Sequence, residues 1–399
     1  AAGQRGGSGM NPVLVTDGIS RKSLAVVRSL GSKGVSVYSA ETTRLTPSGW
    51  SKYCRGAVRY PSPSDKKEAF SQWLLDEAVS KPGLVLFPMD ELTVLTVLEK
   101  REELLAKAPD SRILLPELRA FELAADKFET VKAATDVGLK VPKAWCPANT
   151  EELESLIDVT DYPLVIKPRN SSGSRGIRIV HDRQQLISGY EDAIKDYAMP
   201  MIQEYIPLGP RFDVALLYDG EGKLVASFAQ RELRHYPADI GPSTVQQSVW
   251  MPELVRMSAM LVESFGWRGI AEVEWMQDPR DGSFKLMEIN PRYWNSLHLS
   301  VQSGVDFPYL HYRLALGEKV EPVHEYKIGQ ITRNLLPGDL LHALSVRKLS
   351  LDPPMLSRKG LPIQDDIWSR DDPMAAAGFV GSCLRYLFDG KMWKTVVRR

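Results

Sequence analysis

The chain has little cysteine, no net charge and no long apolar run. Its three cysteines, Cys54, Cys146 and Cys383, form no C-x-x-C pair, which argues against a disulfide framework or a structural zinc site. Lys+Arg and Asp+Glu both number 50, so no overall field would steer nucleic acid, and we predict no nucleic-acid partner. No apolar run reaches the roughly 18 residues that a membrane-spanning helix needs. We therefore expect a cytoplasmic globular protein.

Two common nucleotide-binding motifs are missing as well. No G-x-x-x-x-G-K-[ST] occurs, and the first predicted strand, residues 12–16, leads into Asp17-Gly18-Ile19-Ser20 instead of G-x-G-x-x-G. The strand–helix–strand pattern over residues 12–38 nevertheless predicts a βαβ unit, and with it a parallel sheet at the start of the chain. Further along, residues 118–138 are predicted to form a helical segment that ends at Gly138.

What the chain does contain is an apolar strand that ends in a lysine and continues into a loop of Ser, Gly and Arg. Residues 162–167 predict a strand ending at Lys167, and residues 177–180 predict a second strand. The loop between them, residues 169–176, offers backbone N–H groups, two glycines and two guanidinium groups, which together suit a polyphosphate. A P-loop would continue into a helix, whereas this loop continues into a strand.

A second candidate site lies in an acidic hairpin around the turn-rich link at residues 277–282. A hairpin centred on this link places Glu274 opposite Glu288. The same register places Glu272 opposite Asn290, with all four side chains on one face. Opposed carboxylates favour a cation between them, and Mg²⁺ suits such an all-oxygen site when substrate phosphates complete it. For this pair alone, a solvated surface balanced by nearby basic residues is an equally good interpretation.

The order of lysine, anion loop, apolar hinge strand and acidic hairpin resembles the ATP-grasp superfamily over about residues 10–317. The resemblance implies an α/β and α+β protein in which a Rossmann-like parallel-sheet N-terminal domain precedes a two-subdomain ATP-grasp fold. Residues 1–9, before Met10, are interpreted as a cloning scar. The expected domains are the Rossmann-like domain at 10–116, the ATP-grasp domain at 117–320 with a lid subdomain at about 140–206 and a metal-binding subdomain at 207–320, and a C-terminal extension at 321–399.

The resemblance also implies roles for individual residues. The implied metal ligands are Glu274, Glu288 and Asn290. The implied catalytic residues are Arg292, which would hold the transferred phosphoryl group and the reaction oxyanion, Lys167, and Arg231. The implied nucleotide-binding residues are Lys127, Lys167, Ser171, Ser172, Gly173, Ser174, Gly176, Gln203, Glu204, Tyr205, Ile206 and Asp213.

One departure from the family pattern concerns the ribose. The family usually carries an acidic ribose contact after the hinge, where this chain has Arg211. Asp213 lies two residues further on and shares the strand face of Arg211, so it is the candidate substitute.

The resemblance implies a ligase that uses ATP and Mg²⁺, with Mn²⁺ as an alternative. It would activate a carboxylate as an acyl phosphate, join it to the amine of an amino acid, peptide or small metabolite, and release ADP and phosphate. Two alternatives stay open: a carboligase that acts on bicarbonate or forms a carbamoyl phosphate, and a non-catalytic ATP-binding regulatory protein. We also expect a homodimer. The aromatic and basic residues of 384–399 suit a membrane surface, but a docked C-terminal helix is the interpretation we favour.

Overall fold

The computed structural model describes residues 10–157, 161–170, 176–238, 241–347, 351–355 and 363–387. Three β-sheets follow one another along this part of the chain, each accompanied by helices. The fold is therefore mixed α/β, as the sequence predicts. The domain boundaries given above stay predictions.

The first sheet is parallel and has the strand order β3-β2-β1-β4. Its strands are β1 (Val13–Val15), β2 (Val37–Glu41), β3 (Gly56–Arg59) and β4 (Val85–Phe87). Its helices are α1 (Arg21–Gly31), α2 (Pro47–Trp50), α3 (Lys67–Ser80), α4 (Glu91–Glu99) and α5 (Arg101–Lys107). The predicted βαβ unit is confirmed, and strands β1 and β4 both end at the edge that faces the rest of the molecule, where parallel sheets commonly bind ligands.

The predicted helical segment at residues 118–138 is confirmed, and it consists of two helices. They are α6 (Leu118–Ala125) and α7 (Lys127–Asp136). The break is at Asp126, which adopts extended backbone and accepts hydrogen bonds from the N–H groups of Phe128 and Glu129. An aspartate at this position satisfies N–H groups that a helix start leaves free. Lys127 thereby becomes the first residue of α7.

The second sheet is antiparallel and has the order β5-β8-β6-β7. Its strands are β5 (Ala144–Trp145), β6 (Leu164–Lys167), β7 (Arg178–Val180) and β8 (Met201–Glu204), and its helices are α8 (Thr150–Ile157) and α9 (Arg183–Asp196). Strands β6 and β7 pair directly, which confirms the predicted strand–loop–strand. The loop residues Ser171, Ser172, Gly173 and Ser174 lie outside the described residues.

The third sheet has seven strands in the order β13-β12-β9-β10-β11-β14-β15. The strands are β9 (Arg211–Tyr218), β10 (Leu224–His235), β11 (Ser243–Ser248), β12 (Gly269–Gln277), β13 (Phe284–Asn290), β14 (Ile331–Arg333) and β15 (Ile363–Asp365). The helices are α10 (Pro252–Glu263), α11 (Leu297–Ser303), α12 (Phe307–Ala315), a π-helix (Leu335–Asp339), α13 (Leu340–Val346) and α14 (Pro373–Leu387). All pairs are antiparallel except β14 with β15.

One hydrophobic core joins the first sheet to the third. Val13 and Val26 belong to the same buried cluster as Leu217, Trp294 and Phe307. Because this cluster excludes water from the interface, α1 and the ends of the first sheet are held against the end of β13. The site therefore also receives a residue, Arg21, from helix α1 beside the first sheet.

The C-terminal segment is tied to the rest of the molecule by ion pairs. Arg28 of α1 pairs with Asp372 at 2.9 Å, and Arg21 pairs with Asp366. Helix α14 packs on α2, where the hydroxyl of Ser382 donates to the carbonyl of Leu45. Of the stretch 384–399 for which a docked helix is predicted, residues 384–387 belong to α14, and residues 388–399 lie outside the described residues. Within the described part of the chain, no helix is both long enough and apolar enough to cross a bilayer.

Candidate functional site

A cavity of about 290 Å³ lies between the second and third sheets. It brings together most of the residues singled out in the sequence, which reach it from β6, β8, α7, β9, β12 and β13. The predicted site residues that line it are Lys127, Lys167, Gln203, Glu204, Tyr205, Ile206, Asp213, Glu274, Glu288, Asn290 and Arg292.

Two lysines enter the cavity from different elements. Lys127 begins α7, and its Nζ lies 2.9 Å from Oε2 of Glu288. Lys167 ends β6 and is only 6% exposed. Burial, and after it the charge of the neighbouring Lys127, lower the pKa of Lys167 to about 8, against the opposite effect of Glu288 and Glu274. The two basic groups and the acidic hairpin therefore converge on one space.

The acidic hairpin has the predicted register where it lines the cavity. Glu274 lies opposite Glu288, and Glu272 lies opposite Asn290. Immediately afterwards a bulge shifts the pairing by one residue, so that Trp275 lies opposite Leu286. A bulge at this point redirects the side chains that follow it, which allows the two carboxylates to share a face while the strands stay paired on both sides.

The carboxylates of this hairpin repel one another. Burial raises the pKa of Glu274 well above its usual range, and the charges of Glu288, Asp213 and Glu232 raise it further. Burial also raises the pKa of Glu272, with Asp213 and Glu274 as the next contributions. So much negative charge in a buried space favours a bound cation.

Asn290 links the two carboxylates of β12. Its Nδ2 donates to Oε2 of Glu272 at 3.0 Å and to Oε1 of Glu274 at 2.6 Å. Among the described residues, no group of three or more His, Cys, Asp and Glu side chains is arranged to hold a metal ion by itself. A cation here would need ligands beyond the carboxylates, such as an amide or a phosphate oxygen.

Asp213 lies at the centre of the same sheet face. It pairs in register with Glu274 on one side and with Gln230 on the other. Nε2 of Gln230 donates to Oδ2 of Asp213 and to Oγ of Ser296, both at 2.6 Å. Burial raises the pKa of Asp213 well above its usual range, followed by the charge of Glu232. Asp213 is thus in the cavity, as predicted, but held deep in the sheet.

The predicted hinge strand is β8 with the residues up to Ile206, and it is fixed at its carboxyl end. The N–H of Glu204 donates to the carbonyl of Lys143 at 2.8 Å, and its carboxylate pairs with Arg280 at 2.7 Å, which connects the second sheet to the hairpin link. Nε2 of Gln203 is buried without a partner among the described residues. The hinge therefore presents both an ordered backbone and an unused donor.

Arg292 closes the cavity on the side of the first sheet. Its Nε lies 3.5 Å from Oε1 of Glu91, and its Nη1 donates to the carbonyl of Tyr293 at 3.1 Å. The same carbonyl accepts from the buried Lys22, which pairs with Asp90. Arg292, which lines the cavity, is thus held in place by residues that follow strands β1 and β4 of the first sheet.

Two predicted residues are not brought into the cavity. Arg231 is exposed on β10, because strand alternation places it on the face opposite Gln230 and Glu232. Gly176 does not line the cavity either. It has φ +78° and no room for a side chain, since a Cβ would lie 2.8 Å from Pro168. Its role is to let the chain turn back into β7.

The sequence interpretation missed several residues that line or adjoin the cavity. They are Arg21, Lys22, Asp90, Glu91, Arg211, Glu232 and Ser296. The sequence did contain a signal for Asp90 and Glu91, because they follow a buried strand that is predicted to be parallel. Ligand sites commonly lie at the carboxyl ends of such strands.

Comparison with known sequences gives one matching family and several relatives. Residues 124–296 match the family described as the ATP-grasp domain. A D-alanine–D-alanine ligase of Pseudomonas entomophila is 26% identical over 212 residues, which are 48% of this chain and 63% of the relative. A D-alanine–D-alanine ligase of Stutzerimonas stutzeri is 29% identical over 187 residues, 43% of this chain and 56% of the relative. The matched region thus spans little more than half the length of these relatives.

Solved structures with the same fold cover more of the chain. The biotin carboxylase domain of Hydrogenobacter thermophilus 2-oxoglutarate carboxylase, solved with MgADP and bicarbonate, superposes with a TM-score of 0.67 at 17% identity, over 81% of this chain and 73% of that one. N5-carboxyaminoimidazole synthetase of Staphylococcus aureus gives 0.65 at 15%, over 86% and 85%. This chain therefore carries an ATP-grasp domain in residues 124–296.

Proposed function

We propose that the protein is an ATP-dependent carboxylate–amine ligase that forms an acyl phosphate and releases ADP and phosphate. The observation that carries this proposal is the convergence of Lys127 and Lys167 on Glu274 and Glu288 in one cavity that ends at Arg292. Phosphoryl transfer to a carboxylate requires cations that bind the phosphates, carboxylates that bind a metal ion, and a cationic group that binds the acceptor. The two lysines, the two glutamates and Arg292 supply these groups.

The residues present fit a divalent cation. Burial raises the pKa values of Glu272 and Glu274 well above their usual range, and the charges of neighbouring carboxylates raise them further. Lys127 pairs with Glu288 on the facing strand. Glu274, Glu288 and Asn290 would hold Mg²⁺, or Mn²⁺ in its place, and the ion would supply charge neutralisation between the nucleotide phosphates. Lys127 would then exchange its ion pair with Glu288 for contacts with phosphate.

The nucleotide would lie along the cavity from the hinge to the hairpin. Residues 203–206 supply the hinge backbone, and Gln203 supplies its unused Nε2 donor. Lys167, buried beside Lys127, holds positive charge where triphosphate oxygens would lie. The loop with Ser171, Ser172, Gly173 and Ser174 follows directly from β6 in sequence, and we assign it the predicted role of covering the phosphates. Asp213, at the bottom of the cavity, would contact either the ribose or the metal ion.

The acceptor carboxylate would bind at Arg292. One of its oxygens attacks the γ-phosphorus, the bond to the β-phosphate oxygen breaks, and ADP leaves. The amine nitrogen then attacks the acyl carbon, phosphate leaves with the carboxylate oxygen, and the nitrogen loses a proton. Arg292 would stabilise the oxyanion between these events. Arg231, outside the cavity, takes no part in these steps.

The substrate class follows from two supports. Glu91, Asp90 and Lys22 place charges of both signs next to Arg292, as a zwitterionic amino acid requires. Two of the curated relatives are by name D-alanine–D-alanine ligases. We therefore propose an amino acid or small peptide on at least one side of the bond. Homodimer formation and a cytoplasmic location stay predictions.

The test is ADP release from the purified protein with MgATP and pools of acids and amines. The proposal requires release that depends on both an acid and an amine, with one ¹⁸O atom passing from a labelled carboxylate into phosphate. Release with bicarbonate alone would identify the carboligase instead. No release with any pool, together with tight MgADP binding, would identify a non-catalytic nucleotide-binding protein.

A further inference from the structure

A second and larger cavity lies outside the nucleotide cleft. It has a volume of about 760 Å³ and is formed by α1, α11 and the segment from Ile363 to Asp372. It shares no lining residue with the cleft. Its size is within the range of small-molecule sites. Residues 356–362 lie outside the described residues, and no part of the site is assigned to them.

The cavity contains a buried arginine whose hydrogen bonds are incomplete. Arg333 on β14 is only 7% exposed, and its Nη1 donates to the carbonyl of Met355. Its Nε is buried and has no partner among the described residues. Leaving a buried charged donor without a partner costs free energy, so an acceptor that fills the cavity would be stabilised there.

The other charged groups of the wall are mostly paired already. Arg28 pairs with Asp372 and donates to the carbonyls of residues 366 and 367. Lys33 pairs with Asp306. Asp365 accepts from three backbone N–H groups. Arg370, exposed at the rim, has no partner among the described residues. The unused binding capacity is thus cationic, from two guanidinium groups that match carboxylate or phosphate geometry.

The rest of the wall sets the shape and polarity of a ligand. His298 faces the cavity, and burial lowers its pKa to about 4, so the imidazole is neutral at physiological pH. Tyr53 and Trp368 add aromatic faces, and the indole of Trp368 is 41% exposed. An anion with a flat or apolar body would therefore complement the wall better than an inorganic ion alone.

The cavity is connected to the cleft through α1. Arg21 lines the cleft and Arg28 lines the second cavity, two helical turns apart. Asp366 joins them, because its carboxylate pairs with Arg21 while its backbone carbonyl accepts from Arg28. A ligand that moves Arg28 or Asp366 would change the position of Arg21 in the cleft, which is the differential contact that coupling between two sites requires.

We propose that this cavity is a second ligand site that binds a carboxylate- or phosphate-bearing metabolite on Arg333 and Arg370 and thereby modulates the nucleotide cleft. Binding does not depend on the proposed ligase activity. The modulation rests on the cleft being a nucleotide site.

The test uses calorimetric titration of the full chain with succinate and, separately, inorganic phosphate as probes, in the absence of metal. The variants are Arg370→Ala, Arg333→Gln, the cleft variant Lys167→Met, and Arg119→Ala as a matched control on α6, where the Arg119 side chain is 76% exposed. We expect saturable binding that Arg370→Ala and Arg333→Gln each weaken about tenfold, and that Lys167→Met and Arg119→Ala leave unchanged. Whichever probe binds more tightly identifies the anion class.

Three outcomes would overturn the proposal. They are no saturable binding of either probe, equal binding in all four variants, and binding lost only in Lys167→Met, which would place the anion in the cleft. Arg370→Ala decides the matter if Arg333→Gln unfolds, because Arg370 is exposed and its removal leaves the core intact. For the modulation, the Kd of MgADP should change at least twofold at saturating probe in wild type but not in Arg370→Ala. An unchanged Kd would remove that part of the proposal.

Discussion

The proton on Lys167 should control nucleotide binding at alkaline pH. In the free protein, burial and the neighbouring Lys127 lower its pKa to about 8. Phosphate groups beside the amine favour its charged form, so binding raises this pKa and takes up a proton above pH 8. At pH 9 only about one tenth of the free protein carries the charge, and the Kd of MgADP should therefore rise about tenfold between pH 7 and pH 9.

Lys167→Met isolates this effect from other titrations. The variant keeps the apolar part of the side chain and loses the charge, so at pH 7 it should bind MgADP about 10-fold to 100-fold more weakly, as expected for one lost charge-assisted contact. Its Kd should also stop rising above pH 8. Titration calorimetry at constant ionic strength from pH 7 to 9.5 measures both, with Lys195→Met as the control because that side chain is 70% exposed on α9.

Either of two results would show that Lys167 is not the group that controls nucleotide binding at alkaline pH. One is a wild-type Kd that is flat between pH 8 and 9.5. The other is an alkaline rise of equal size in Lys167→Met, because the titrating group would then be elsewhere.

Three further predictions concern the acidic hairpin and the buried ion pair between Arg234 and Asp339. Glu288→Gln should lower turnover on the order of a hundredfold or more while circular dichroism stays unchanged, since a metal ligand is lost but the volume is kept; wild-type ADP release would contradict this. Mg²⁺ binding at pH 7 should release protons, because it ionises carboxylates such as Glu274 whose pKa is raised, so affinity should increase with pH; equal heats in buffers of different ionisation enthalpy would exclude this. Arg234→Ala should lower the free energy of unfolding by about 3–5 kcal/mol, since it leaves Asp339 buried and unpaired, whereas Arg268→Ala, at a side chain that is 40% exposed, should stay within about 0.5 kcal/mol; equal denaturation midpoints would refute the difference.

The parts of the site that follow from local periodicity were predictable. The pairing of Glu274 with Glu288 needs only strand alternation and a turn, and the structure has it. The bulge after Glu274 was not predictable, because a one-residue shift leaves the outer residues of the hairpin equally alternating. The same alternation rule separates Arg231 from Gln230 and Glu232, but only the structure shows that the face of Gln230 and Glu232 is the one turned toward the cavity.

The position of Lys127 shows what a local signal can and cannot supply. The helix break is readable, because aspartate is a preferred N-cap residue and Asp126 precedes the lysine directly. The partner of Lys127 lies 161 residues away on β13, and no spacing rule connects them. The contact of Arg292 with Glu91 is of the same kind, since the packing of one domain on another decides it.

Strand β15 has a practical consequence for anyone who shortens the protein. It covers one side of β14, whose other side is bonded to β11. A version that stops before Ile363 would leave the backbone of Ile331 to Arg333 open along that side, and bare strand edges recruit other chains. Such a version would also strip Arg21 and Arg28 of their acidic partners. Expression trials should therefore retain residues 363–387, because aggregation of a truncated form would reflect the exposed edge of β14 rather than low activity of the enzyme.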